Sequence, residues 1–420
     1  MPRIVHITDS YPPHRHPIAE QVAGLARHQG AQGDAVHVLT ATPLEAAEPG
    51  KSRFRASATD APGVRVHRLA SRLAFGLPVL PRGRATIERA LGLLRPDVVH
   101  LHLAVVSPFG YDAARATRGL DLPLVITWYS VLDGPEALAR FGLRVAGWQT
   151  APFVPSGASA AITASVARAF SREDARLVPL GTDLEPWLRR APAAPTASVA
   201  LARPHMRVLI NAVDARGLGA VRAAIAARAA LAERTVLGEP GALAEPGALA
   251  EPGVRPQPGG IAETGEERSS EIGAMFDITV TGMAASGLPS DLRDEVTVIP
   301  DAPVEVLPVL ARDHDVYVSA GALDPHAAGA RAAGIDVLAF SGTSGADTGT
   351  VVEDEAQLTA TLTAAVGEPS EGAAEQRTTA MNEEGSWASA IAHAHAAYMA
   401  AKDQSRGALM PGKPVGEPDK

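Results

Sequence analysis

The chain has 420 residues, no cysteine and a formal net charge of −9. That length accommodates two or three domains with sizeable cores, and the lack of cysteine excludes a disulfide framework and thiolate metal sites. Charge is uneven: residues 1–200 hold 22 Lys+Arg against 16 Asp+Glu, and residues 201–420 hold 16 against 31. A basic first half suits an anionic acceptor or a peripheral membrane contact, or reflects a bias towards Arg, since only four of the cations are Lys. The acidic total and the aromatic content of 4% argue against a nucleic-acid partner. No apolar run approaches the ~20 residues that span a bilayer, and "MPRIVHITDS" holds no secretory core, so a soluble, cytoplasmic chain is expected.

The opening stretch predicts a strand over Arg3 to Thr8, a polar loop over Asp9 to His16, a helix opened by Pro17, and a second strand over Ala35 to Thr40. This is one right-handed parallel βαβ unit, whose first loop is the expected ligand position. Pro43 to Pro62 reads as a loop and Val64 to Leu69 as a strand. A helix over Arg84 to Leu94 then leads into the strand "RPDVVHLH". Helices follow over Pro108 to Thr117 and Gly134 to Trp148, around the buried strand "LPLVITWYS". Ala160 to Thr163 reads as a short strand, Ser165 to Phe170 as a helix, and Ala175 to Asp183 as the closing strand.

A Pro/Ala linker and hinge is expected over residues 189–204, after a first domain of 1–188. The strand–helix pattern then restarts over 205–385, through "MRVLINA", "FDITVTG", "DEVTVI", "DVYVSA" and "IDVLAF". "EPGALAEPGALAEPG" repeats a six-residue unit with Pro and Gly in each copy, so 238–270 is expected to be a disordered insertion. A tail over 403–420 is expected to be disordered as well. Alternation of this kind predicts an α/β fold with two Rossmann-like, doubly wound parallel sheets.

In order and spacing, "HITDSYPP…EQVAGLARHQ…GDAVHVLTATP", "RPDVVHLH", "LPLVITWYS", "VPLGTDLEPW", "MRVLINAVDARG", "LARDHDVYVSA", "ARAAGIDVLAF" and "GSWASAIAHAHAAY" resemble the family-4 glycosyltransferases. The resemblance implies the GT-B architecture, with the two domains facing across a cleft and a helix over 386–402 returning to the first. It also implies retaining sugar transfer without an obligatory metal or cofactor, from a nucleotide-diphosphate sugar as co-substrate. The acceptor would be a lipid-linked molecule, an envelope glycoconjugate or a small molecule. On the acceptor side the resemblance points to Asp9, Ser10, His14, Arg15, His100, His102 and Ser130.

On the donor side the chain departs from the family. The family's Arg and Lys after the first strand of the second domain, "GRLDPRKG", fall on Ala212 and Gly217, with Arg216 one residue away. The family's diglycine is His16-Pro17 here, and Tyr129 stands at the family's catalytic His. The Glu pair falls on Gly321 and Gly329, with Asp324 three residues out of register, and Gly282 ends a strand nearby. Losing the cations and acids that meet the leaving diphosphate and the sugar predicts impaired transfer. The alternative is a non-catalytic protein that binds an acceptor or a partner glycosyltransferase. On this alignment, Ala212→Arg with Gly217→Lys is expected to restore phosphate binding, and Gly329→Glu preference for the sugar.

Weaker signals reduce to structure. Asp313-His314-Asp315 lies where the family has a helix end, and His100 with His102 offers two ligands on one strand face without a third at suitable spacing. Backbone N–H groups of the loop Ser341 to Asp347 are a candidate contact for a diphosphate.

Overall fold

The computed structural model describes residues 1–14, 16–42, 55–56, 60–69, 83–104, 107–132, 152–188, 206–212, 216–236, 276–282, 287–300, 302, 305–365 and 385–409. Arg15, the helix expected over 134–148, the linker 189–204, the insertion 238–270 and the chain beyond 409 lie outside these residues. The chain divides into two units, residues 1–181 with 385–420, and residues 182–384.

The first unit is built on β1 (Arg3–Thr8), β2 (Ala35–Thr40), β3 (Arg55–Ala56), β4 (Val64–Arg68), β5 (Val98–Leu103), β6 (Leu124–Trp128), β7 (Val154–Gly157) and β8 (Arg176–Leu177). They lie in the order β3-β4-β2-β1-β5-β6-β7-β8. Every pair is parallel except β3 with β4. The helices between them are α1 (Pro17–Ala31), α2 (Gly83–Leu94), α3 (Pro108–Gly119) and α4 (Ala160–Phe170). α1 starts at Pro17 because His16, in extended conformation, accepts the Ile18 N–H on its own ring nitrogen.

Three local expectations change. Ala160 to Thr163 is not a strand but the first turn of α4, because the Ser159 hydroxyl accepts the Ile162 N–H and caps a helix there. The strand of that region is Val154–Gly157. The expected strand over Ala175 to Asp183 shrinks to two residues, and β3 interrupts the expected loop between Pro43 and Pro62.

One face of this sheet carries a gradient. Ile4, Val98, Val125 and Val154 form an apolar cluster with Leu25 of α1 and with Ile391, Ala394 and Ala397. The last three belong to α11 (Trp387–Leu409), which continues well past residue 402, so the expected disorder over 403–409 is replaced by helix. Towards the carboxyl ends of the strands the same face turns polar. His6 pairs with His100, Thr8 with His102, and His102 with Thr127.

The second unit has β9 (Met206–Asn211), β10 (Phe276–Gly282), β11 (Thr297–Pro300), β12 (Val316–Ser319), β13 (Asp336–Phe340) and β14 (Thr350–Val352) in the parallel order β11-β10-β9-β12-β13-β14. Its helices are α5 (Glu185–Leu188), α6 (Arg216–Val236), α7 (Ser290–Arg293), α8 (Leu307–Arg312), α9 (His326–Ala332) and α10 (Glu355–Ala365). α6 and α10 cover one face through Ala220, Ala224, Leu358 and Leu362. Trp187, Leu307, Ala311, Ala327 and Ala330 cover the other, over Leu209, Tyr317 and Val337. The boundary between the units precedes the expected one. Thr182 donates its hydroxyl to Pro325 O, and Trp187 is buried in the second core, so residues 182–188 leave the first domain.

Candidate functional site

In the first unit the strand order runs outward in both directions from β1 and β5, which makes their carboxyl ends the switch point where ligands enter such sheets. Asp9 follows β1 and reaches the loop after β5, where its Oδ2 accepts the Ser107 hydroxyl. Burial pushes the Asp9 carboxyl up to about 7, while the facing N–H of Phe109 draws it back. Its Oδ1 is buried without a hydrogen-bond partner among the described residues. The loop beneath is braced: the Thr42 hydroxyl donates to Asp9 O at 3.1 Å and accepts the Tyr11 N–H at 2.9 Å. Arg68 donates to Pro12 O at 2.5 Å and to Thr42 O at 3.0 Å. Ser10 Oγ lies 2.5 Å from His14 Nδ1, and the His14 and His16 rings stack with centroids 6.0 Å apart. Ser130 is half-buried beyond β6, and Arg15 lies outside the described residues.

His100 and His102 are elsewhere than on an open loop. Both are buried, under α1 and α11, beside His6. The third imidazole, missed in the sequence, comes from β1 in register with His100. Ligand atoms of the three lie within 4.8 Å of one another, close enough for a metal triad. Their nitrogens, however, are already engaged. Gln29 Oε1 only accepts, so His6 Nε2–H donates to it at 2.8 Å. Neutral His6 then accepts on Nδ1 from His102 Nε2–H at 2.9 Å, and His102 Nδ1 accepts from the Tyr129 hydroxyl at 3.0 Å. On the other branch the Gln29 amide donates to the Tyr398 hydroxyl at 3.1 Å, which donates to His100 Nδ1 at 2.9 Å. His100 Nε2–H meets Thr127 Oγ1 at 2.7 Å, and Thr127 meets Ser156 at 2.7 Å. Burial holds His6 near 4, and burial with the neighbouring imidazoles holds His100 and His102 well below the usual range. The cluster is a self-satisfied neutral network with one proton order.

This network also redirects Tyr129. The residue at the family's catalytic His position is 5% exposed and spends its hydroxyl on buried His102. Burial pushes that phenol further from ionisation.

In the second unit the donor-side positions gather in two places. Ala212, Gly217 and Gly282 meet at the ends of β9 and β10. A Cβ on Gly217 would stand 2.4 Å from Ala212 Cβ and 2.7 Å from its Cα. Gly282 has φ of 100° and lies against Ala212 O, a close approach in the left-handed region that favours glycine. Arg216 is exposed at the start of α6. The second group surrounds Asp324, which is 3% exposed. Asp324 accepts the Tyr317 hydroxyl at 2.9 Å and the His326 N–H at 3.0 Å, while its own N–H donates to Ser344 Oγ at 2.7 Å. His326 is pushed down by burial, against the pull of Asp324. Gly329 lies under the Trp187 indole, and a Cβ there would come within 2.4 Å of the ring. In the Ser341 to Asp347 loop, the N–H groups of Thr343, Ser344 and Ala346 are spent on Phe340 O, Ala322 O and Thr343 O.

A side chain at 217 or 329 would therefore have to displace its neighbour. The places for a Lys at 217 and a Glu at 329 are filled by Ala212 and Trp187.

Residues 18–186 match the family model Glycosyltransferase Family 4. A GDP-mannose-dependent alpha-mannosyltransferase of Mycobacterium tuberculosis is 31% identical over 144 residues, which are 34% of this chain and 35% of that protein. The match thus spans about a third of the relative's length. A UDP-forming α,α-trehalose-phosphate synthase from Burkholderia vietnamiensis superposes with a TM-score of 0.62 at 12% identity, covering 98% of this chain and 99% of its own. The catalytic domain of starch synthase IV from Arabidopsis thaliana, bound to ADP and acarbose, gives 0.56 at 12% identity, covering 96% and 99%. At these identities the likeness is one of fold, and that fold is the GT-B architecture. No helix among the described residues is long and apolar enough to cross a membrane.

Proposed function

We propose that this chain is a family-4 glycosyltransferase that keeps an acceptor-side site in its first unit and has a remodelled donor side in its second, so that sugar transfer is impaired. The observation that carries the reading is Trp187 packed on Gly329, where the family places a sugar-binding Glu. Ala212 against Gly217 repeats the theme at the family's Lys position. Among the described residues, the buried polar groups around β9, β10 and β12 are Asn211, Thr281, Ser319, Tyr317 and Asp324, none of which is a cation for a leaving diphosphate, and Arg216 stands exposed at the start of α6, one residue from the family's Lys position. Charge development on that leaving group is the step that suffers. On this reading the chain acts as an acceptor-binding protein or as a partner of a working glycosyltransferase.

Calorimetric titration of the full chain with UDP, GDP, ADP and GDP-mannose tests it. The expected result is no binding up to millimolar ligand. The relative's name makes GDP-mannose the first donor to try. Micromolar binding or mannosyl transfer by the unmodified protein would establish a working enzyme instead, and any transfer would be expected to retain anomeric configuration.

A further inference from the structure

We propose that Asp9 is the hydroxyl-binding residue of the first unit, and that its site takes a neutral polyhydroxylated ligand, a free sugar or polyol, in preference to a phosphorylated one. The inference rests on the acceptor-side reading above and names the ligand class of that site.

Position comes first. Asp9 stands at the switch point and bridges its two arms, from the end of β1 to Ser107 before α3. Its backbone cannot drift, because Thr42 and Arg68 hold the segment from Asp9 to Pro12 from the far side. The site is preorganised in the sense that a bound hydroxyl would find the carboxyl already placed.

The second consideration is the unused acceptor. One carboxyl oxygen is engaged by Ser107, whereas Oδ1 is buried and has no partner among the described residues. A buried acceptor left without a donor costs free energy, and a ligand hydroxyl removes that cost. Asp9 is half-buried as a residue rather than sealed in the core, and rotation about its last bond would exchange the two oxygens. Either can therefore be presented to an incoming hydroxyl.

Charge then selects the ligand. The first turn of α3 is the place in this crevice where a phosphate would be drawn by unpaired N–H groups. Asp9 already occupies that end of the helix, facing the Phe109 N–H. A phosphate there would meet a carboxylate across a short, partly desolvated gap, and like charges repel strongly under those conditions. A neutral hydroxyl meets an acceptor instead. The raised pKa adds a signature, since the fold carries this carboxylate at a cost as pH rises above 4, as binding groups often are carried.

The test uses the full chain at pH 8 and four probes: glucose, mannose, glucose 6-phosphate and mannose 6-phosphate. Calorimetry is expected to show binding of a neutral sugar, with its phosphate at least tenfold weaker. Asp9→Asn, close in size, is expected to weaken the neutral sugar at least tenfold while raising the melting temperature, because a buried charge is removed. Failure of both neutral sugars to bind, equal or tighter binding of the phosphates, or unchanged sugar binding by Asp9→Asn would overturn the proposal. A fall in melting temperature with Asp9→Asn would overturn it too, by showing a structural role. Nucleotides play no part in this measurement. If the sugars bind and Asp9→Asn is silent, the acceptor-side reading survives and the assignment to Asp9 falls.

Discussion

Gly329 and Gly217 show how a residue can carry information by being small. Each accepts a neighbour so closely that a single added carbon collides, with the Trp187 ring in one case and with Ala212 in the other. Overpacking of a filled core costs ~1–3 kcal/mol, more when the obstacle is backbone. Gly329→Ala is therefore expected to lower the melting temperature by several degrees. Gly217→Lys is expected to lose folded protein rather than gain phosphate binding. Thermal denaturation checks the first, and soluble yield with nucleotide titration checks the second. Opening the pocket requires Trp187 to leave: Trp187→Ala with Gly329→Glu should fold better than Gly329→Glu alone, and an equal loss in both would show that the indole is not the obstacle.

At the scale of elements, the buried histidines tie β1, β5 and β6 to α1 and α11. Their protonation is resisted in the fold, since His6 is held near 4 against 6.5 in the unfolded chain. Between those values the unfolded state binds more protons than the folded one, so stability rises with pH and is lost as pH falls from 6.5 towards 4. For His6 alone the full effect is about 3 kcal/mol, and His100 and His102 add in the same direction. Urea unfolding at pH 7.5, 5.5 and 4.5 should show a falling midpoint, and a flat profile would contradict neutral, buried imidazoles. Tyr398→Phe tests the helix side. It leaves the His100 Nδ1 acceptor and the Gln29 donor without their shared partner, at ~1–3 kcal/mol. Hydrogen exchange should speed up along α11 first, with the second unit's helices unchanged.

On the scale of the whole molecule, the two units keep separate cores, and α11 belongs to the first although it closes the chain. Ending the chain at Glu384 should uncover the face formed by Ile4, Val98, Val125 and Val154. The first unit is then expected to unfold at lower denaturant while the second keeps its transition, as read by two-step urea curves. Removal of residues 238–270 is expected to leave the melting temperature within a few degrees, since loop length changes closure entropy by only about a kcal/mol. A large loss on that deletion would show that the Pro-Gly repeat packs against a core.

Much of this architecture was legible along the chain because helices and strands advertise themselves locally. Apolar residues at period 3.6 or in short β-branched runs, with Pro17 opening α1 and Gly33 closing its turn, predict the two parallel sheets and the order of their elements. The exception at α4 is also local: a serine cap outweighed the strand reading of "AAIT". Candidate residues were legible as types, since a polar loop after β1 is a ligand position in any such sheet. Their partners were not. His6 and His100 are 94 residues apart and meet through strand register, and Asp9 meets Ser107 across 98 residues through the loops that follow those strands. Likewise the alignment made positions 217 and 329 look like simple losses, whereas packing with Ala212 and Trp187 decides that they are filled. Local periodicity is written in consecutive residues and needs no fold to be read. Register, close packing and proton order depend on atoms brought together from distant parts of the chain, and only the tertiary structure brings them together.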